Sequence, residues 1–165
     1  MIYSLFPFLF VQPLSMPKSL KRAPKGFGVG IYMGAPTGLG ALNVAHREKD
    51  ITRQIYLSWN FDDEQLRGVV DQLWEIHNVK LDDGTQFPIY AGGRTWFRLN
   101  DLNTTLGFTG FSNSIGVGVP VGALYQHAEV AIEGYVEGAP VFQIAPTMEM
   151  GFQVGVGIRF FPSFL

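Results

Sequence analysis

Nine ionisable side chains fall on one face of the strands that the sequence predicts, and they carry most of its potential chemistry. Four of them are arginines and five are acids. If that face lines a narrow barrel, each charge must be paired and hydrogen-bonded, because a buried unpaired charge is strongly destabilising. Two functions fit such a set: a structural plug of salt bridges, or a narrow path for ions or protons. The nine are Arg67, Asp71, Glu75, Arg94, Arg98, Glu129, Glu133, Glu137 and Arg159.

Three histidines offer an acid–base alternative. His46 and His127 lie beside predicted turns, whereas His77 shares the strand parity of Glu75. The sequence contains no nucleophile motif such as Gly-x-Ser-x-Gly. We therefore predict that the protein is not an enzyme, with modification of lipid A in an outer membrane as the alternative.

Metal, redox and nucleic-acid functions find little support in the composition. The acidic turns at 62–64 and 82–83 lack the ligand spacing of an EF-hand. The chain has no cysteine, which excludes disulfides, thiolate metal sites and cysteine nucleophiles. Its net charge of −2 gives no reason to expect nucleic acid as a partner. We predict no metal and no cofactor.

The last predicted strand of the chain shows how these charges are positioned. From Gln153 to Phe160, apolar residues alternate with a polar residue, two glycines and an arginine. Period-two alternation is the pattern of a strand with one apolar face. A strand that is apolar outside and polar inside is typical of a transmembrane β-barrel wall. The outward set is Val154, Val156, Ile158 and Phe160, and the inward set is Gln153, Gly155, Gly157 and Arg159.

The rest of the chain repeats this alternation. Charged residues make up only 16% of the chain, against about 25% in soluble domains. No apolar run reaches the ~18 residues that a membrane-spanning helix needs. We predict an all-β fold, an eight-stranded antiparallel up-and-down transmembrane β-barrel. The other seven strands are expected at about 26–34, 39–47, 51–61, 66–78, 87–99, 114–125 and 129–138, with a kink at Pro120 and a connection at 139–147.

The predicted organisation has three parts. Residues 1–25 form an apolar and then basic N-terminal extension, which is either an interfacial anchor or the remnant of a signal. The barrel covers 26–161, and 162–165 are a C-terminal tail.

Aromatic residues are expected on the lipid-facing surface. Sorted by their height on the predicted strands, most of them form two interfacial girdles. The lipid-facing set is Trp59, Phe61, Trp74, Phe97, Tyr125, Phe160 and Phe161.

A soluble lipocalin-like carrier is the principal alternative. It would also be an eight-stranded barrel, but its apolar face would point inward. Alternation alone does not distinguish the two folds. The girdles of aromatic residues and the wholly apolar face opposite the charges favour lipid on the outside.

Several short motifs resemble a known family. They are Tyr-Met-Gly-Ala-Pro-Thr-Gly-Leu at 32–39, Leu73-Trp74, Val-Pro-Val-Gly at 119–122, Glu-Gly-Ala-Pro at 137–140 and Gly-Val-Gly-Ile-Arg-Phe at 155–160. They are similar to landmarks of small bacterial outer-membrane barrels of largely unassigned function, found in spirochaetes and predatory bacteria. The resemblance implies an eight-stranded fold in the bacterial outer membrane and assembly into rings that hold lipid. It supplies no catalytic residues.

The last strand also resembles the C-terminal signature of outer-membrane barrels, on Gln153, Gly155, Ile158 and Phe160. That resemblance implies recognition by the barrel-insertion machinery. We thus expect a structural, lipid-organising or pore-type (porin-like) membrane protein. Membrane lipids and further copies of the chain are its expected partners. Small outward residues would let neighbouring walls approach closely: Gly68, Ala91, Gly93, Gly134 and Gly138.

Overall fold

The fold is given by a computed structural model, which describes residues 25–35, 38–60, 65–82, 85–100, 113–126 and 131–162. In this part of the chain the regular structure consists of nine β-strands, and no helix there could cross a membrane. The strands are β1 (Gly26–Ala35), β2 (Gly38–Glu48), β3 (Ile51–Asn60), β4 (Gln65–Lys80), β5 (Gln86–Leu99), β6 (Ser114–Gly118), β7 (Val121–Gln126), β8 (Ile132–Ala145) and β9 (Glu149–Phe160).

The strands close into a barrel. The hydrogen-bonded order runs β4-β3-β2-β1-β9-β8, continues through β6 and β7 to β5, and closes through the pairing of β4 with β5. Every pairing is antiparallel. Because β6 and β7 both lie between β5 and β8, they occupy one position in the wall. The barrel therefore has eight wall positions, and the predicted eight-stranded antiparallel fold is confirmed.

The break between β6 and β7 lies at Pro120, where a kink was predicted. Proline has no N–H to donate to a ladder. Its carbonyl accepts from the Gly92 N–H at 2.9 Å, and the preceding Val119 N–H donates to the Pro140 carbonyl at 3.1 Å. Val119 and Val121 both stay exposed, so the alternation continues across the break.

The predicted connection at 139–147 was wrong over most of its length. Strand β8 continues to Ala145 and pairs with β9 as far as Gln143 opposite Glu149. Pro140, which suggested a loop, lies in this strand beside the β6–β7 break, and its carbonyl is used by Val119. The start of this strand also differs from the prediction: it was expected near residue 129, whereas β8 begins at Ile132.

A bulge in β4 reverses the predicted orientation of His77. The register shifts between Glu75 and His77, which places His77 opposite the outward residue Ile89. One inserted residue sends the following side chains to the other face. His77 is therefore exposed, whereas Glu75 faces the interior opposite Tyr90.

The exposure of the two faces decides which is inside. Val154 and Ile55 are each 47% exposed, whereas Arg94 is 4% and Glu133 0% exposed. The apolar face is thus the outer surface and the charged face lines the interior, which is the arrangement of a transmembrane β-barrel. A lipocalin-like carrier needs the opposite arrangement, so that alternative was wrong.

The predicted lipid-facing aromatics are mostly on this outer surface. Trp59, Trp74, Tyr125 and Phe160 are exposed there. The ring of Phe97 also lies outside, where it covers the backbone of Gly68. Phe61 lies outside the described residues.

Phe161 is a correction to that set, because it is completely buried. Since Phe160 faces outward, the next residue along the chain turns to the other face. The Phe161 ring lies against Gly28 at the end of the barrel where β1 begins and β9 ends.

Inside the barrel, aromatic rings pack directly against glycine backbone. Tyr32 stacks near Tyr56 and Tyr135, with ring centroids 4.6 and 6.1 Å apart. A side chain at Gly155 would overlap the Tyr32 ring, and one at Gly157 would overlap Tyr135. These glycines make room for large neighbouring side chains.

A single methyl group added at an inward glycine should test this close packing. In Gly30→Ala the new Cβ would meet the Ile158 carbonyl and the Arg159 Cα, which are backbone atoms. We expect a loss of about 1–3 kcal/mol in the free energy of unfolding, as for other overpacked sites. Urea unfolding in lipid vesicles, followed by tryptophan fluorescence, measures it.

Gly134→Ala is the matched control, because no atom lies within 4 Å of its Cβ position. It should change stability by less than about 0.5 kcal/mol. Equal losses in both variants would contradict the packing described here.

Candidate functional site

One group of interior charges is centred on Arg94 of β5. Its Nε and Nη2 donate to the two carboxylate oxygens of Asp71 on β4, both at 2.8 Å. Such two-point pairing is the strongest geometry between these groups. Nη2 also donates to Glu137 on β8, and Nη1 donates to Gln153 Oε1 at 3.0 Å. The Tyr90 hydroxyl donates to the other oxygen of Glu137 at 3.0 Å.

A second group is centred on Glu133 of β8, nearer the end of the barrel where β1 begins and β9 ends. Arg47 on β2 reaches both of its oxygens, with Nη1 at 2.6 Å and Nη2 at 3.2 Å. Arg159 Nη2 lies 2.6 Å from Oε1, as an ion pair whose angle is not that of a hydrogen bond. The Gln126 amide donates to the carboxylate at 2.9 Å. One carboxylate thus holds two arginines together.

Gln54 of β3 joins the two groups. Its carbonyl oxygen accepts from Arg159, and its amide nitrogen donates to Asp71 Oδ2 at 3.0 Å. The interior network therefore spans the lumen and joins side chains of β2, β3, β4, β5, β8 and β9. It contains three cations and three anions, so its net charge is zero. The charged members are Arg47, Asp71, Arg94, Glu133, Glu137 and Arg159.

Aromatic rings cover the guanidinium groups of this interior network. The Arg159 guanidinium lies 4.3 Å from the centre of the Tyr135 ring, and that of Arg47 lies 5.4 Å from Phe161. Such cation–π contacts stabilise a cation that has lost its water. Phe161 is tied to the wall by its N–H, which donates to the Ala131 carbonyl at 2.8 Å.

The structure brings together five of the nine predicted charges, namely Asp71, Arg94, Glu133, Glu137 and Arg159. Glu75 is half-buried and lines a cavity of about 10 Å³ beside Lys49 and Asp50. Glu129 lies outside the described residues. Arg67 and Arg98 line a larger cavity at the end of the barrel where β4 and β9 begin, and Arg67 also borders the small cavity beside Arg94.

Sequence reasoning missed Arg47 and Gln54 as members of the interior network. Arg47 has the inward parity of Asn43 and Ala45, which was the available signal. A polar turn follows Arg47 directly, which hides that signal. Gln54 has the inward parity of Thr52 and Ser58 on β3, but parity alone does not reveal its partners.

The histidines do not join the interior network. The His46 ring lies 4.7 Å from the outward Phe27 ring, and His77 is exposed beyond the bulge. His127 lies outside the described residues. Among the described residues, no group of three His, Cys, Asp or Glu side chains is placed to hold a metal ion.

Comparison with known proteins gives one structural likeness to report. No protein-family model matches the chain, and no curated protein matches it. Among solved structures, the crystal structure of Neisserial surface protein A is similar, with a TM-score of 0.49 and 12% sequence identity. The likeness covers 85% of this chain and 99% of that one. The resemblance to the spirochaete and predatory-bacterium family stays a prediction.

Removing one carboxylate from the interior network should leave buried cations without compensation. Glu133→Gln keeps the shape of the side chain but leaves Arg47 and Arg159 facing a neutral group. We expect a loss of about 3–5 kcal/mol in the free energy of unfolding, the usual effect of breaking a buried ion pair. Urea unfolding of the barrel in lipid vesicles measures it.

Glu48→Gln makes the same chemical change at an exposed position at the end of β2. It should unfold at the same urea concentration as the parent. If the two variants shift the midpoint equally, the interior network does not hold the barrel together.

Proposed function

We propose that this chain is a structural barrel of a Gram-negative outer membrane, which organises lipid around its wall and does not conduct solutes. The observation that carries the proposal is the charge-neutral interior network across the lumen. An eight-stranded barrel is just wide enough for side chains to fill it. Here those side chains are tied to one another by ion pairs and hydrogen bonds from opposite walls.

The small cavities beside the interior network support a closed lumen. One is lined by Tyr32, Tyr56 and Arg94, the other by Arg47, Tyr90 and Arg159, and each has a volume of about 10 Å³. A volume of that size holds about one water molecule. A pore-type function would need the interior charges to separate.

Features of the outer surface support the membrane location. The apolar outer surface carries Trp59 near the end of β3 and Trp74 of β4, which pairs with Ile51 at the start of β3. The two rings therefore lie at opposite heights of the barrel. Aromatic residues at both interfaces are typical of outer-membrane barrels. We further propose that the last strand, β9, is recognised by the barrel-insertion machinery, since it carries Gly155, Ile158 and Phe160 in the signature spacing.

We also propose that the barrels associate with one another through a patch of low relief. On β5, β7 and β8 small residues interrupt the larger apolar side chains of the outer surface, and a Cβ built at Gly93 or Gly134 would meet no atom within 4 Å. Small residues let two membrane-embedded walls approach closely. Gly68 and Gly138 do not belong to this surface, since the rings of Phe97 and Phe152 cover them. The low-relief patch consists of Ala91, Gly93, Ala123 and Gly134.

Absence of enzymatic activity is part of the same proposal. His46 and His77 lie on the outer face of different strands, β2 and β4, away from the interior carboxylates. Lipid A modification would require one of them to act together with an acid at that surface.

Planar-bilayer recording tests the closed lumen. The parent protein should show no steady single-channel current. The double variant Arg94→Ala with Asp71→Ala removes one cation and one anion, so it keeps the net charge while it opens space at the centre. We expect it to conduct, and Glu48→Gln to remain silent.

The opposite result would favour the pore. A parent protein that conducts, and loses its current in Arg94→Ala, would show that the charges form a path. Folding of each variant is checked by its heat-dependent migration on a gel.

Native mass spectrometry from lipid nanodiscs tests the association. The parent protein should appear as a homo-oligomer with retained lipid. Gly134→Leu should release monomers, because its side chain would project from the low-relief patch into the partner. Val44→Leu on β2, outside the patch, should leave the oligomer intact. A monomeric parent would refute the association without affecting the closed lumen.

A further inference from the structure

A second charged region lies at the remote mouth, which is the end of the barrel opposite the start of β1 and the end of β9. There the start of β4, the end of β5, the end of β8 and the start of β9 surround a cavity of about 220 Å³. It is more than an order of magnitude larger than the cavities beside the interior network. Six of the residues that line this cavity bear on which ligand it could bind: Arg67, Trp96, Arg98, Val141, Glu149 and Met150.

Two arginines face each other in this cavity. Arg67 and Arg98 are direct partners in the register of β4 with β5. Like charges placed directly opposite each other across a strand pair are destabilising. Arg98 Nη2 donates to the Ser114 hydroxyl at 3.0 Å, a contact with a neutral group, and Arg67 Nε donates to Gln65. An anion between the two guanidinium groups would relieve their repulsion.

Two buried donors of the same region have no acceptor. Arg98 Nε and Trp96 Nε1 are both enclosed, and neither makes a hydrogen bond. Both groups can only donate. Native proteins satisfy nearly all buried polar groups, so such donors point to a ligand that supplies acceptors. In the interior network, Arg159 Nε and Nη2 also lack a hydrogen bond, but that guanidinium is paired with the Glu133 carboxylate at 2.6 Å.

We infer that this mouth binds a phosphate group. A phosphate offers several acceptor oxygens at once, and guanidinium groups bind it through two parallel hydrogen bonds. The acid of the cavity, Glu149, is exposed at its rim and accepts from the Thr147 hydroxyl at 2.9 Å. Val69, Val141 and Met150 offer apolar contact to whatever carries the phosphate. That carrier is either a soluble phosphate ester or the headgroup of a lipid.

The fluorescence emission of Trp96 can be used to measure ligand binding at this mouth. The chain has three tryptophans, so Trp59→Phe with Trp74→Phe leaves Trp96 as the sole emitter. In maltoside micelles, which contain no phosphate, inorganic phosphate added at constant ionic strength should change the Trp96 emission in a saturable way. Arg98→Gln should weaken binding at least about tenfold, the effect of losing charge-assisted hydrogen bonds. Arg53→Gln, on the outer face, should bind as the parent does.

Two further ligands distinguish the sources. Glycerol 3-phosphate and a short-chain phosphatidic acid carry the same phosphate on a soluble and a lipid body. Tighter binding of the first indicates a soluble ester, and tighter binding of the second indicates a lipid headgroup.

The inference is overturned if none of these ligands changes the emission, if chloride produces the same change, or if Arg98→Gln responds like the parent. Arg98→Lys keeps the charge but removes the Nε donor, and should bind with intermediate affinity. It replaces Arg98→Gln if that variant does not fold. The result does not depend on conductance or on oligomer order.

Discussion

The constraint on which this barrel depends is the pairing of charge in a space too narrow for bulk water. Eight wall positions leave an interior that side chains fill. Every charge placed there loses its hydration and must recover the lost free energy from the opposite wall. Arg94 between Asp71 and Glu137, and Glu133 between Arg47 and Arg159, meet that condition. The net charge of zero follows, because an excess of either sign would remain uncompensated.

The same constraint explains the distribution of glycine. Tyrosine rings pack directly against the bare backbone of Gly155 and Gly157, and this leaves room in the interior for the guanidinium groups beside them. The outer surface does not need glycines to make room for interior side chains. All its backbone polar groups can be paired around the closed ring of strands, so apolar side chains can cover it without breaking a hydrogen bond.

Alternation along the chain predicted the barrel and the common face of most charges, because a strand sends neighbouring residues to opposite faces. The aromatic girdles and the apolar face opposite the charges then indicated which face is outside. Alternation failed at the bulge in β4, which turned His77 outward. At Phe161 the alternation itself held, and the prediction was wrong because two consecutive phenylalanines were both assigned to the lipid-facing surface. Pairing across the lumen was not predictable either. Arg47 and Glu133 are 86 residues apart, and only the curvature of the closed sheet brings them together.

The two charged regions of the barrel are under different physical conditions. At the centre, each cation is balanced by an anion held within the wall, so the charges can stabilise the fold without any ligand. At the remote mouth, Arg67 and Arg98 face each other beside unsatisfied donors. An anion taken up there would meet the closed interior network below it. The mouth is therefore suited to hold a phosphate rather than to pass it through the membrane.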